Sequence, residues 1–493
     1  MNLELDKQGT LYEQIARALK RAIREGELVA GSRLPSTRSL AMALQVSRKP
    51  VIEAYELLCA EQVAVARTGS GTRVAKVPAA ARSERHAARV RPTTRYVERA
   101  RTLGPVTLDG FDARIRFNMQ CGAPLVNPHL FNSWRRKLAA AALRAGPTYP
   151  PAAGFLPLRQ ALAEYLVRRR GIACSADDIV IVGGTQQALS LAARVLINEG
   201  DPVVLEDPFY QLAMHAWLAH GAAVTSVPTD EQGLVVAQLP ERPTRMVYVT
   251  PHQFPSGTVL SLSRRVELVH WAAQHDCWIF EDAYEGEFHH GRGFLPALRS
   301  LDLTDRVLYV GSFSKTLFPS LRLGFIVCPK GLRDDFVRAK MLDDMGSPAI
   351  EQAALATFIR SGQYEAHLRS SFLELEKRRL VLFEVLERSL SEELEITKAH
   401  GGMHLVAWLR RINFEQCEAL VAQAARMGLR LHPIHPYYRV RPARPGLLLG
   451  YAGLMSHQLR AAVDILKKSS RDSDAHDPAL TAAHRSVRDL LSS

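Results

Sequence analysis

The chain has 493 residues, 47% of them hydrophobic and 23% charged. Those are globular proportions, and they exclude a disordered, collagen-like or coiled-coil protein. The length suggests about two to four folding units, no apolar run reaches the ~18 residues of a membrane span, and the net charge of +13 fits an anionic partner, nucleic acid first.

The N-terminal 75 residues predict a small helical module. Leu11, Ile15, Leu19 and Ile23 recur at i, i+4 and give the first helix one apolar face. Gly26 and Gly31 bracket a turn. Ser36 then caps a second helix with Leu40, Ala41 and Leu44 inward, and Ser47 caps a third with Val51, Ala54, Tyr55 and Leu58 inward. Two short helices after a longer one is the helix-turn-helix layout. Arg48 and Lys49 fall in the first turn of the third helix, where cations oppose the helix dipole and cost roughly a few tenths of a kcal/mol. A DNA phosphate or a guanine edge supplies the reason to keep them there. Arg67 and Arg73 flank a Gly-rich turn between two short strands, Val63–Ala66 and Thr72–Ala75, which predicts a wing.

Residues 76–101 hold eight Lys/Arg against two Asp/Glu and few large apolar side chains. They predict a basic linker, extending to about residue 115, which is either a solvated spacer or a phosphate contact. Beyond it, apolar runs at Ile179–Val182, Pro202–Leu205, Met246–Val249, Trp278–Phe280 and Val307–Val310 alternate with amphipathic helical stretches. Buried strands separated by helices predict an α/β domain with a mainly parallel sheet over 116–468. A smaller α+β section is expected from about Ser370, with a strand pair His404–Trp408 and Leu447–Gly450, and a polar, frayed tail over 469–493. The six cysteines show no CxxC and no metal-ligand spacing, so no metal is expected. A reduced cytoplasmic location is expected, and the acidic Met1–Asp6 stretch is not a signal peptide.

Four strand-end motifs carry chemistry. Gly311-Ser-Phe-Ser-Lys315 with Arg322 seven residues on suits a Schiff-base lysine beside a phosphate held by Ser312, Ser314 and the Arg322 fork. Asp282, directly after an apolar run, can hold a ring pyridinium proton, or simply cap a helix. Tyr284 can donate to a ring phenolic oxygen. Gly183-Gly-Thr185-Gln186 opens a helix whose N–H groups can bind phosphate. Tyr210 is placed to stack on a flat ring or to pack at the rim.

The N-terminal pattern resembles the GntR-type winged helix. Its carriers are Leu11-Tyr-Glu-Gln, Gly26 through Ala41, Val46-Ser-Arg-Lys-Pro-Val, Ala54-Tyr-Glu-Leu-Leu and Gly69-Ser-Gly-Thr-Arg-Val, with Pro50 and Gln62 departing from it. The resemblance implies DNA contacts by Arg38 and Arg48, beside those expected for Ser47, Lys49, Arg67 and Arg73. The later motifs, with Tyr149-x-x-x-x-Gly154-x-x-x-Leu158-Arg159, resemble the fold-type I enzymes that use pyridoxal 5′-phosphate. The likeness runs from about Phe117 to Tyr451. It implies that Lys315 forms the internal aldimine, and that Tyr149 reaches the cofactor phosphate of the neighbouring subunit in a homodimer. The joined pair is similar to the MocR family of bacterial transcription regulators.

Two departures bear on function. Aminotransferases carry Asn where Phe254 stands, so the ring oxygen depends on Tyr284. Leu448 stands where they carry the arginine for the substrate α-carboxylate. Burying a carboxylate there without a charged donor costs roughly several kcal/mol, unless Arg439, Arg441 or Arg444 replaces it. The sequence is therefore expected to encode a PLP-dependent regulator that binds operator DNA and senses a small amine or amino acid through external aldimine formation. Sensing of PLP itself, and an active aminotransferase with an accessory DNA-binding module, are the alternatives.

Overall fold

The computed structural model describes residues 3–67, 71–75, 93–104, 112–125, 128–144, 146, 148–284, 286–288, 296–397 and 402–474. They fall into two compact units, one within Met1–Pro92 and one within Thr93–Ser493. The wing tip at 68–70, most of the expected linker (76–92 and 105–111) and the tail over 475–493 lie outside the described residues.

In the first unit, α1 (Leu11–Glu25), α2 (Thr37–Ala43) and α3 (Arg48–Ala60) precede the antiparallel hairpin of β1 (Ala64–Arg67) and β2 (Gly71–Val74). Ile15, Leu19, Leu40, Val51, Ala54 and Leu58 form its core, and the Tyr55 hydroxyl donates to the Pro35 carbonyl at 2.7 Å. Ser36 caps α2 as expected, its hydroxyl accepting from the Ser39 N–H. Ser47 occupies the N-cap of α3 but makes no side-chain cap bond. The reason is local: Pro50 sits three residues on and has no N–H to donate.

The second unit opens with α4 (Arg95–Thr102), where the sequence predicts linker. Thr94 caps it, and Arg99 pairs with Glu199 and donates to the His220 carbonyl, which docks α4 on the large domain. The chain continues through β3 (Phe117–Asn118), α5 (Pro128–Ala142), α6 (Leu156–Arg170), β4 (Ile179–Val182) and α7 (Thr185–Leu196). Next come β5 (Pro202–Asp207), α8 (Gln211–His220), β6 (Ala223–Asp230), β7 (Gly233–Leu234), β8 (Met246–Val249), α9 (Leu262–Gln274) and β9 (Trp278–Asp282). Then follow α10 (Leu298–Leu301), β10 (Val307–Ser312), β11 (Gly324–Val327), α11 (Arg333–Asp344), α12 (Ala349–Arg360) and α13 (Gln363–Leu390). The last segment holds β12 (Leu394–Ile396), β13 (His404–Leu409), α14 (Phe414–Arg426), β14 (Leu429–Arg430), β15 (His432–Pro433), β16 (Gly446–Gly450) and α15 (Ser456–Asp474).

Eight strands form one sheet in the order β4-β11-β10-β9-β8-β5-β6-β7. The run from β10 to β6 is parallel, and β11 enters antiparallel between β10 and β4. Both faces are covered. Val203 and Leu205 of β5 pack in one apolar cluster and Val204 in another, as helices on both sides of a parallel sheet require. A second, antiparallel sheet has the order β12-β13-β16-β15.

Two further boundaries differ from the sequence reading. No break falls near Ser370, because Leu368, Leu375, Leu382 and Val385 keep one buried stripe along the whole of α13. The C-terminal helix runs past Ser469, which is fully buried and satisfies its hydroxyl on the Ile465 carbonyl.

Gly450 couples the second sheet to the segment after β3. Its N–H donates to the Met119 carbonyl at 2.9 Å, and a Cβ there would collide with the Gln120 backbone. Backbone cannot yield as a side-chain tip can. Gly450→Ala is therefore expected to lower unfolding free energy by about 1–3 kcal/mol, read as a shift in the urea midpoint. It should also loosen the 119–122 segment, read as faster amide exchange there.

Candidate functional site

The carboxyl ends of β4, β5, β8, β9 and β10 open on one cavity of about 490 Å3. This is where open α/β sheets place ligands. Thr185, Gln186, Tyr210, Asp282, Tyr284, Ser312, Ser314, Lys315 and Arg322 all line it. Of the cofactor residues expected from sequence, only Tyr149 is elsewhere. It is 81% exposed and lines a second groove, of about 840 Å3, beside α5 and α12.

Each end of the cavity has its own chemistry. At one end Gly184 caps α7 with φ 99°, so the first N–H groups of that helix and the Thr185 hydroxyl face the site as an anion cradle. Arg322 Nη2 donates to the Gly183 carbonyl at 2.6 Å, and a Cβ on Gly184 would stand 3.2 Å from the guanidinium. Arg322 itself sits in the left-handed region, φ 50°, at the close of a 3-10 turn over Pro319–Leu321. That conformation costs a non-glycine residue about 1–2 kcal/mol, and it aims the fork back at the helix start. Ser312 ends β10, and its Oγ accepts the Ser314 N–H at 3.2 Å.

In the middle stands Asp282, fully buried. Its Oδ2 accepts from the Tyr248 hydroxyl at 2.9 Å, whereas its Oδ1 is buried with no hydrogen bond. Burial pushes this carboxyl up to about 7, against the Tyr248 bond and the Lys315 charge, which act downward. Behind it Glu206 is pushed up to about 8, chiefly by burial, with its Oε2 accepting from the Thr250 hydroxyl and N–H at 2.6 and 3.0 Å. Phe254 packs edge-on to Tyr210, Tyr284 and Tyr437, with ring centroids 5.2–5.8 Å apart. At the far side Lys315 Nζ donates to the Gly122 carbonyl at 2.7 Å, and a Cβ at Gly122 would stand 2.5 Å from Nζ. His432 Nε2 pairs with Asn118 Oδ1 at 2.9 Å on the same wall.

These donors suit pyridoxal 5′-phosphate part by part. The unpaired buried Asp282 Oδ1 suits a protonated ring nitrogen, the aromatic walls suit a flat ring, and the cradle with Arg322 suits a phosphate. When bound, the cofactor supplies an aldehyde that condenses with amines. Lys315 would be the primary amine to meet it, and the Gly122 carbonyl holds that amine in place. Tyr248 keeps Asp282 oriented, and the buried walls keep water away from both.

Sequence reasoning missed Gly122, Tyr248, Thr250, His432 and Tyr437. Tyr248 lay inside an apolar strand and was the one hydroxyl in it. Gly122, His432 and Tyr437 come from loops and a second sheet, and nothing local marks them, whereas Thr250 directly follows the apolar run Met246–Val249.

In the first unit Arg38, Ser47, Arg48, Lys49, Arg67 and Arg73 are all exposed. Arg48 Nε donates to Thr37 Oγ1 at 3.1 Å, which ties the start of α3 to α2, and Arg73 Nη1 donates to the Gly31 carbonyl at 3.0 Å. Lys49 reaches Glu53 only at 3.9 Å with its side chain 85% exposed, so its charge is open to a phosphate.

Residues 11–74 match the family described as bacterial regulatory proteins, gntR family, and residues 116–464 match aminotransferase class I and II. The probable rhizopine catabolism regulatory protein MocR of Rhizobium meliloti is 34% identical over 95% of each chain. The HTH-type transcriptional regulator TauR of Rhodobacter capsulatus is 32% identical over 89% of this chain and 91% of its own. Among solved structures, LysN, an α-aminoadipate aminotransferase from Thermus thermophilus, crystallised with N-(5′-phosphopyridoxyl)-L-leucine, superposes with a TM-score of 0.69. It is 26% identical, over 77% of this chain and 97% of that one. A gntR-type reader on a pyridoxal-phosphate-binding aminotransferase domain, in one chain alike from end to end, places this protein in the MocR family of transcription regulators.

Proposed function

We propose that this chain works in the cytoplasm as a homodimeric regulator that binds operator DNA and reports a small amine or amino acid. The amine takes the place of Lys315 on the bound cofactor. The observation that carries the reading is the convergence of Lys315, Asp282 and Arg322 in one cavity of a chain that also carries a DNA reader.

The residues have distinct parts. Lys315 holds the cofactor covalently, Asp282 holds the ring nitrogen, Tyr284 the ring oxygen, and Tyr210 packs on the ring. Thr185, Gln186, Ser312, Ser314 and Arg322 hold the phosphate, and Tyr149 reaches that of the partner subunit. The exposed Tyr149 and Leu143, 81% and 90% accessible, support a second copy over that face. Arg38, Ser47, Arg48, Lys49, Arg67 and Arg73 face DNA. An amine changes transcription only if it binds the operator-binding state and its alternative with different affinities.

Titration of the loaded protein with amines, followed by visible absorbance and by operator binding, tests the reading. Both signals should change over the same amine concentrations. Operator affinity that follows the cofactor and ignores amines would identify the cofactor as the effector. Steady amino transfer to a keto acid would make the chain an aminotransferase instead. Lys315→Ala should leave residue 315 unlabelled after borohydride reduction, read by mass spectrometry, and should abolish the amine response of operator binding.

Asp282 predicts a pH signature of cofactor removal. Its carboxyl titrates near 7 when folded without cofactor and near about 4 when unfolded. The folded chain thus keeps a proton that the unfolded chain has released, and stability is lost as pH rises through that window. Cofactor-free Asp282→Asn should be stabilised relative to the parent more at pH 8 than at pH 5, read by urea denaturation. Its cofactor affinity should fall by about tenfold or more, since the ring cation loses its carboxylate.

A further inference from the structure

The far wall of the cavity, where an amine meets the aldehyde, has a polarity that selects among amines. The permanent cations lining the cavity, among the described residues, are Lys315 and Arg322. Lys315 is the group an amine displaces, and Arg322 lies at the anion cradle. The rest of that wall is Gln120, Cys121, Gly122, His432 and Tyr437. Directly behind it Val406, Ile434 and Leu448 form an apolar layer, each no more than 1% exposed, with Cys121 and Tyr437 packed against it. The register fixes this face. Leu448 of β16 is opposite Val406 on one side and His432 on the other, so the three side chains share it.

The arginines that could bring a positive charge from the neighbouring loop are held elsewhere. Arg439 Nη1 donates to the Val224 carbonyl at 3.0 Å, Arg441 lies 3.7 Å over the Phe414 ring, and Arg444 donates to Glu395 at 2.8 Å. None of them lines the cavity. A carboxylate brought to this wall would shed water and, among the described residues, meet no permanent cation apart from Lys315 itself. Neutral hydroxyl or imidazole groups would meet Gln120 there, beside the Tyr437 hydroxyl and the Asn118-bound His432 ring, without needing a charged partner.

We infer that the site selects a primary amine with no carboxylate on its amine-bearing carbon, its other polar groups neutral, over the corresponding amino acid. This rests on the amine-sensing reading and narrows its ligand class.

The test uses the full-length, cofactor-loaded protein and pairs of compounds that differ only in that carboxylate, ethanolamine against L-serine and histamine against L-histidine. Visible absorbance gives the affinities, and the shift in unfolding temperature gives a readout independent of the cofactor's spectrum. The expected result is at least tenfold tighter binding of the decarboxylated member of a pair. A ratio below tenfold, or a preference for the amino acid, overturns this inference and leaves amine sensing standing. Silence from both members of both pairs overturns amine sensing and this inference with it. Leu448→Arg should narrow the ratio at least tenfold by supplying the missing cation. Should that variant lose the cofactor, Cys121→Lys, which starts from the half-buried wall, carries the same expectation. An unchanged ratio in the variant that keeps the cofactor also overturns the inference.

Discussion

A carboxyl group with one unpaired oxygen, buried at the end of a parallel strand, sets the terms for the rest of this molecule. Asp282 lies at the last position of β9, flanked by β8 and β10. Burial there is costly for a charge, which is why its proton is held up to about neutral pH. The cost is offset by whatever cation comes to Oδ1. An acceptor buried beside the cavity with one oxygen unpaired suits a cationic ligand. Tyr248 donates its hydroxyl to Oδ2 and keeps the group aimed, while Glu206 behind it is tied to the Thr250 hydroxyl and N–H.

The sheet explains why the other groups arrive at the same place. With β10, β9, β8, β5 and β6 parallel, the carboxyl ends of those strands share one edge, and the loops that follow them converge. Thr185, Tyr210, Asp282 and Ser312 are far apart in sequence but lie at or just past the ends of β4, β5, β9 and β10. Glycines make the convergence tight. At Gly324 a Cβ would stand 2.8 Å from the Gly311 carbonyl and 3.0 Å from the Gly184 Cα, so β10, β11 and the start of α7 approach as closely as backbones can.

Much of this was legible because it is local. Continuous β-branched runs marked Ile179–Val182 and Met246–Val249 with the ends the structure has, and the residues after each run are the ones facing the cavity. The i, i+4 stripe and the Ser36 cap marked the helices of the N-terminal unit. What stayed hidden depends on contacts distant in sequence. The segment with Arg95 and Arg99 reads as spacer because its apolar content is low. Its helix is held by ions and hydrogen bonds to Glu199 and His220, a hundred residues on. His432 and Tyr437 belong to a short strand and a turn of the second sheet, and only tertiary packing brings them to the pocket. The missing Ser47 cap is legible in principle, since Pro50, three residues on, has no N–H to donate.

Among the described residues, the wall at the amine end is apolar behind Cys121 rather than charged. An enzyme gains rate from contacts that tighten at the transition state, and a gripped carboxylate fixes the bond to be broken relative to the ring. A wall of Val406, Leu448 and Ile434 behind Cys121 supplies no such grip. The groups suited to the cofactor, the helix start at Thr185, the Arg322 fork, Asp282 and Lys315, line the same cavity beside it. A sensor's output depends on occupancy, whereas a catalyst's depends on turnover, so orientation matters more to the second than to the first. The apolar layer costs a regulator little, because occupancy needs only affinity. It also removes the charge that would fill the site with the cell's abundant amino acids, so specificity is gained by leaving a group out.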